Sequence, residues 1–209
     1  MPYIITFSIL TPSHRPQLLT KCFEQIDKQT YGAYEHLVAL DRKGIHITTD
    51  NPRRKLIKCN TEHRNWGNTC RNMLGLYAKN NIIIYADDDD VFLPNCLERL
   101  AFNIENNPEY VWGYSKTYIN SNTIDEKKES FPNNLDSSNL LSSSLTLNQI
   151  FHRRIIDGKP VRYYEGPEYI GDKLTIGQYL IYHKPLKINE ILTLHGRYSM
   201  GKDVEEWRK

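Results

Sequence analysis

What this chain lacks narrows the field before any motif is read. None of its apolar runs approaches the roughly 18 residues or more of a membrane-spanning helix. The apolar start is short, carries no basic leader and is interrupted by Thr6 and Ser8, which argues against a secretory signal. Lys and Arg number 27 against 25 Asp and Glu, and they are scattered. No basic stripe with interleaved aromatics points to nucleic acid. The four cysteines, Cys22, Cys59, Cys70 and Cys96, are far apart and show neither a CxxC pair nor a Cys/His spacing of zinc type. Cys22, Cys70 and Cys96 fall in helical patterns and read as small buried thiols, which suits a reducing compartment. No glycine precedes Gly32, so no Gly-rich phosphate loop follows the first strand. No internal repeat is visible. The expectation is a soluble, cytoplasmic protein with no transmembrane segment and no nucleic-acid partner.

What is present suits one α/β domain. A length of 209 residues is ample for one and short for two. The chain is organised around residues 82–94. Ile82, Ile83, Ile84, Tyr85 and Ala86 form an apolar, β-branched run that reads as a buried strand. It stops at Asp87, Asp88, Asp89 and Asp90, and Pro94 then opens a helical pattern with Leu97, Leu100, Ala101 and Ile104 on one face. Ligands of open α/β sheets bind at the carboxyl ends of strands. Like charges gathered there are destabilising unless a cation or strong donors compensate them, and hard oxygen ligands suit Mg²⁺ or Mn²⁺. A solvated acidic loop is the plainer alternative, which the preceding strand and following helix disfavour.

The rest of the chain supplies the matching rhythm. Residues 3–10 read as a strand, broken by Thr11, Pro12 and Ser13, with Ser13 as N-cap and Pro16 in the first turn of a helix. Residues 35–40 form a strand that ends at Asp41, and residues 55–59 another. A helix starts near Asn68, and residues 110–119 alternate as a strand. Residues 120–147 are rich in Ser and Asn without periodicity, and read as a long excursion that covers the site. A helix over 174–182 and a strand over 186–194 follow. Residues 204–209 are helix-prone with no tapering tail, which reads as the cut end of a longer protein. Strands alternating with helices in this way predict a mainly parallel central sheet flanked by helices.

These elements carry a resemblance. Ser8 to Leu19, the Gln29-Thr30-Tyr31 segment with the strand ending at Asp41, the helix from Asn68 to Leu76, and Tyr85 to Pro94 occur in the order seen in family-2 glycosyltransferases of the GT-A fold. Ser115 to Tyr118 and Ile170-Gly171-Asp172 are similar to the later part of the bacterial spore-coat transferase type. The resemblance implies a single Rossmann-like GT-A domain over residues 1–209. Residues 1–119 would be the nucleotide-sugar-binding half and 120–209 the acceptor side. It implies inverting transfer of a sugar from a nucleotide-diphosphate donor, a UDP-sugar above all, to a hydroxyl of a glycan, protein or lipid-linked acceptor.

By the same resemblance Asp89 is the metal ligand for Mn²⁺ or Mg²⁺, and Asp87 or Asp88 contacts ribose or metal. Thr11 and Pro12 line the base, Asp41 accepts hydrogen bonds from base or ribose, and Arg71 lies near the base. Asp172 is the general base. His195 takes a late metal or phosphate contact, and His14 and Arg15 approach the phosphates or simply start the helix. Two departures stand out. Leu40-Asp41-Arg42-Lys43-Gly44 replaces the family's two acidic residues and Gly-Ser, and Gly171-Asp172 replaces its Glu-Asp pair. Glu165 and Glu168 are therefore competing bases. A nucleotidyltransferase making nucleotide sugars and a non-catalytic sugar- or nucleotide-binding module are the rival readings. An EF-hand fails, because Val91-Phe92-Leu93 stands where Gly and further ligands are needed.

Overall fold

The structure is a computed structural model that describes residues 4–44, 46–59, 61–63, 65–120, 127–132, 135, 143, 145–164, 171–180 and 182–195. In chain order, the first half comprises β1 (Phe7–Ser13), α1 (Pro16–Asp27), β2 (Tyr34–Leu40), β3 (Arg54–Lys58), α2 (Asn68–Tyr77), β4 (Ile82–Tyr85), β5 (Val91–Phe92) and α3 (Cys96–Glu105). The second half comprises β6 (Trp112–Asn120), β7 (Lys127–Ser130), β8 (Ile150–Arg153), the short β9 (Ile155–Ile156) and β10 (Lys159–Pro160), α4 (Gly171–Leu180) and β11 (Leu186–His195).

One nine-stranded sheet dominates the described residues, in the order β3-β2-β1-β4-β8-β6-β11-β5, with β7 beside β6. The first four strands are mutually parallel, and β6 and β11 form a further parallel pair. Strand β8 runs antiparallel between β4 and β6 and joins the two parts. The expected mainly parallel α/β architecture is thus observed.

Strand periodicity sends alternate side chains to two cores. Phe7, Ile9, Val38, Leu40, Ile82 and Ile84 pack with Leu19, Phe23 and Ile26 of α1 and with Leu97, Leu100 and Ile104 of α3. Leu10, Leu37, Ala39, Ile83 and Tyr85 point the other way, onto Cys70 and Leu74 of α2 and onto Trp112 and Tyr114. Every residue of β1 is buried, as expected of a central strand covered on both faces. Pro16 begins α1, where its missing N–H costs nothing.

Some expectations shift in detail. Strand β1 runs on through Thr11, Pro12 and Ser13 instead of breaking at Thr11. Proline is tolerated there because its missing donor falls on the β4 side, where strand pairing ends at Leu10 opposite Tyr85. Ser13 is not the N-cap; that position is Arg15, with no side-chain cap. The helix after the acidic run starts at Cys96, two residues beyond Pro94. Gln29 braces this turn: its Nε2 donates to Leu93 O at 2.8 Å and its Oε1 accepts from Leu97 N at 3.1 Å. Within the 120–147 excursion, β7 pairs with β6, and Leu135 and Leu145 are buried. Most of the remaining excursion, and the helix-prone 204–209, lie outside the described residues.

Candidate active site

The order β2-β1-β4 is where the chain reverses direction across the sheet, and there β1 and β4 part company. Pairing of β1 with β2 continues to Ser13 opposite Leu40, while β4 stops at Tyr85. A crevice outside the carboxyl ends of strands at such a switch point is the general ligand position of open α/β sheets. The acidic run enters it directly from β4.

The four aspartates alternate in burial. Asp88 and Asp90 are buried, whereas the Asp87 and Asp89 side chains keep 29% and 27% of their surface exposed. A turn closed by Asp90 N donating to Asp87 O at 3.1 Å sets this alternation. Each carboxylate meets cations or donors. Ser13 Oγ donates to Asp88 at 2.5 Å, and Arg15 pairs with both Asp88 and Asp89. Arg71, itself buried, pairs with Asp87 and donates from Nη1 to Trp66 O at 2.7 Å. Asp90 takes its own neighbour's amide, Asp87 N, at 3.2 Å and faces His195 Nδ1 at 2.9 Å. Two arginines and one histidine therefore face four carboxylates.

Burial sets the titration of these groups. It pushes the Asp88 carboxyl up to about 7 against the opposing pull of Arg15 and Ser13. For His195, burial lowers the pKa, but the Asp90 carboxylate more than offsets it and holds the imidazole at about 9. His195 is thus charged at neutral pH.

Strand and helix ends bring most of the expected residues to one side of the sheet. Pro12 is buried against the start of α2, where a Cβ on Gly67 would lie 2.9 Å from its ring; with φ +77° and this contact, only glycine fits. Thr11 is fully buried, and its hydroxyl meets His36 Nε2 at 2.9 Å. Arg54 Nε donates to His36 Nδ1 at 3.1 Å, so Nε2 carries the proton and donates to Thr11. Any contact of Thr11 with a base therefore falls to its main chain. Asp41 follows β2 directly and accepts from His63 N at 3.1 Å, with His63 Nδ1 at 2.7 Å from the same carboxylate. His14 is exposed. Asp172 lies in the first turn of α4, and Glu165 and Glu168 fall outside the described residues. Sequence reasoning did not assign Ser13 to Asp88, Asp90 to His195, or His63 to Asp41, because none of these pairs is local.

With the geometry in view, the comparisons decide the family. The profile described as "Glycosyl transferase family 2" matches residues 8–160. The chain belongs to glycosyltransferase family 2. An Escherichia coli relative, named "UDP-Glc:alpha-D-GlcNAc-diphosphoundecaprenol beta-1,3-glucosyltransferase WfgD", is 28% identical over 127 residues, which cover 56% of this chain and 48% of the relative. The chain thus spans about half the length of that relative. Among solved structures, S. aureus TarS 1–349 superposes with a TM-score of 0.69 at 17% identity, covering 92% of this chain and 60% of that one. The same protein in complex with UDP gives 0.71 at 15%, with 91% and 60% covered. These similarities show that the family-2 glycosyltransferase has the GT-A fold.

The chemistry of the acidic run fits a hard divalent cation. All its donors are carboxylate oxygens, and the half-exposed pair, Asp87 and Asp89, is separated by one residue. Asp88 and Asp90 are turned inward and fastened by Ser13, Arg15 and His195. Among the described residues, no helix is long and apolar enough to cross a membrane.

Proposed function

We propose that this glycosyltransferase moves a sugar from a UDP-sugar to an acceptor hydroxyl with inversion, aided by Mg²⁺ or Mn²⁺ at Asp89 and Asp87. The observation that carries the proposal is the burial alternation of Asp87–Asp90 at the strand switch point. It keeps Asp87 and Asp89 partly exposed, each on an arginine, and buries Asp88 and Asp90. The choice of uridine draws on the name of the E. coli relative and on the TarS complexes with UDP and UDP-GlcNAc. The relative's lipid-linked GlcNAc acceptor favours a lipid-linked sugar over a protein or free glycan here, on the cytoplasmic side.

In this reading the base lies against Pro12 and the main chain of Thr11, near Asp41 and Arg71. Arg15 exchanges part of its contact with Asp88 and Asp89 for the diphosphate, with His14 at the same loop. His195, charged beside Asp90, serves the diphosphate, since binding a metal would require loss of a proton. Asp87 and Asp89 would hold the cation, which would supply Lewis-acid neutralisation of the departing UDP. Asp172, in the first turn of α4, takes the acceptor's proton as the new glycosidic C–O bond forms and the anomeric bond to phosphate breaks. The positive end of the helix dipole favours its ionised form.

A thermal-shift screen of UDP-, GDP- and dTDP-sugars with and without Mn²⁺ tests the reading, because a ligand specific for the folded state raises Tm by linkage. A UDP-sugar shift enhanced by Mn²⁺ and lost in Asp89→Ala is expected. A Mn²⁺ response unchanged in that variant, or a shift with GDP-sugars alone, would overturn it.

A further inference from the structure

A second group of ligating side chains stands at the end of β2, away from the acidic run. Strands β2 and β3 are parallel and end level, with Leu40 opposite Lys58. The next residue of each is a potential ligand, Asp41 and Cys59, and Cys59 N donates to Leu40 O at 3.1 Å to hold them abreast. The first turn of α2 delivers Cys70 beneath them, and the connection between β3 and α2 delivers His63. One atom from each of Asp41, Cys59, His63 and Cys70 falls in a cluster within 4.8 Å of one another. Both cysteines are free thiols.

We propose that these four residues form a Zn²⁺ site. Zinc takes Cys, His and carboxylate ligands tetrahedrally, with bonds of about 2.3 Å to sulfur and about 2.0–2.2 Å to nitrogen or oxygen. Those lengths imply tetrahedral edges of about 3.8 Å for S···S, about 3.6 Å for S···N and about 3.4 Å for N···O. The structure has Cys59 Sγ 3.7 Å from Cys70 Sγ and Cys70 Sγ 3.9 Å from His63 Nδ1, both near the required edges. Of these three edges, that between His63 Nδ1 and Asp41 Oδ1, 2.7 Å apart in a hydrogen bond, must lengthen. The metal would replace that hydrogen bond with a bridge. The two thiols would release their protons to solvent as thiolate–metal bonds form, and His63 would keep its proton on Nε2. Two sulfurs and an imidazole make the site borderline-soft, unlike the all-oxygen run at Asp87–Asp90.

Its consequence is structural. The metal would tie the ends of β2 and β3 to α2 across the connection that carries Trp66 and Gly67. Trp66 O holds Arg71, and Gly67 packs on Pro12. A zinc here would therefore fix two of the residues assigned to the base, while one Asp41 oxygen stays available for it.

Cobalt is the probe. Co²⁺ added to the reduced, metal-free protein should give a near-ultraviolet thiolate charge-transfer band and the intense visible absorption of tetrahedral coordination, both displaced by Zn²⁺. Asp89→Asn should keep both signals, which separates this site from the proposed catalytic cation and makes the readout independent of sugar transfer. His63→Ala, at a half-buried position, and Cys59→Ser should keep the native circular dichroism but weaken Zn²⁺ binding beyond the roughly 10–100-fold typical of losing a mere supporting partner. Absence of the thiolate band in the unaltered protein, or its persistence undiminished in Cys59→Ser, would overturn the proposal. So would a Co²⁺ signal that vanishes with Asp89→Asn.

Discussion

The ends of β2 and β4 both finish on aspartate, yet they are built from different chemistry. At β4 the carboxylates are consecutive, their company is arginine, serine and imidazolium, and every potential ligand is oxygen. At β2 a single Asp41 sits with two thiols and a histidine drawn from three other places in the chain. The first suits a hard cation that comes and goes with a diphosphate; the second suits a softer cation that stays. Charge density explains the contrast. Four adjacent carboxylates need cations close by even without ligand, whereas the single Asp41 meets the main-chain N–H and the ring of His63.

The hardest test of the β4 end is Arg71→Ala. It removes the buried partner of Asp87 and leaves repulsion among the aspartates unrelieved. Loss of a buried pair costs about 3–5 kcal/mol, and Asp87 is partly exposed, so about 3 kcal/mol is expected. That corresponds to a Tm lower by roughly 6–12 °C for a domain of this size. A Tm within a degree or so of wild type would mean that the pair at β4 is incidental.

Chemistry at neither strand end is the next test. Asp172→Asn should leave UDP-sugar binding and Tm intact while transfer falls by about 10²-fold or more, the usual scale of losing a general base. Transfer at near the normal rate in this variant would redirect attention to Glu168.

The sheet beneath both ends predicts a pH dependence. Burial first, with Arg54 adding to it, lowers the His36 pKa to about 3, and burial lowers that of His152 to about 4. Each is neutral when folded but gains a proton on unfolding below about 6.5. At these two sites the unfolded state then binds more protons, so their contribution to stability falls as pH drops from about 6.5 toward 4, while the raised Asp88 and Asp90 carboxyls act in the opposite direction. Each histidine contributes a slope of up to about 1.4 kcal/mol per pH unit. Urea titrations of the wild type and of His152→Gln at pH 7 and 5 isolate the histidine part: the variant should lose less stability than the wild type on going to pH 5, and equal changes in both would refute it.

The smallest expected change in stability is that of Asp89→Ala, under about 1 kcal/mol for a half-exposed ion pair. Its signature is selective: the Mn²⁺-dependent part of the UDP shift disappears at the β4 end, while Co²⁺–thiolate absorption at the β2 end is untouched.

Sequence alone determined the main helices and strands of the first half of this protein. Periodicity is local: Leu18, Leu19, Cys22, Phe23 and Ile26 predict the buried face of α1, and the apolar run before Asp87 predicts β4. A cluster of four contiguous carboxylates after that strand is equally legible. Tertiary structure alone decided which two of them face outward, because the turn from Asp87 to Asp90 and the reach of Ser13, Arg15 and His195 select them. It likewise turned the Thr11 hydroxyl inward onto His36, 25 positions away, and buried Arg71 on α2. The cysteines show the limit most plainly. Their spacing argues against a metal site, yet the level ends of two parallel strands and one helical turn set Cys59, Cys70, His63 and Asp41 together. Strand register is a long-range property, fixed by which faces are buried in the assembled sheet, and no local pattern encodes which strand ends will meet.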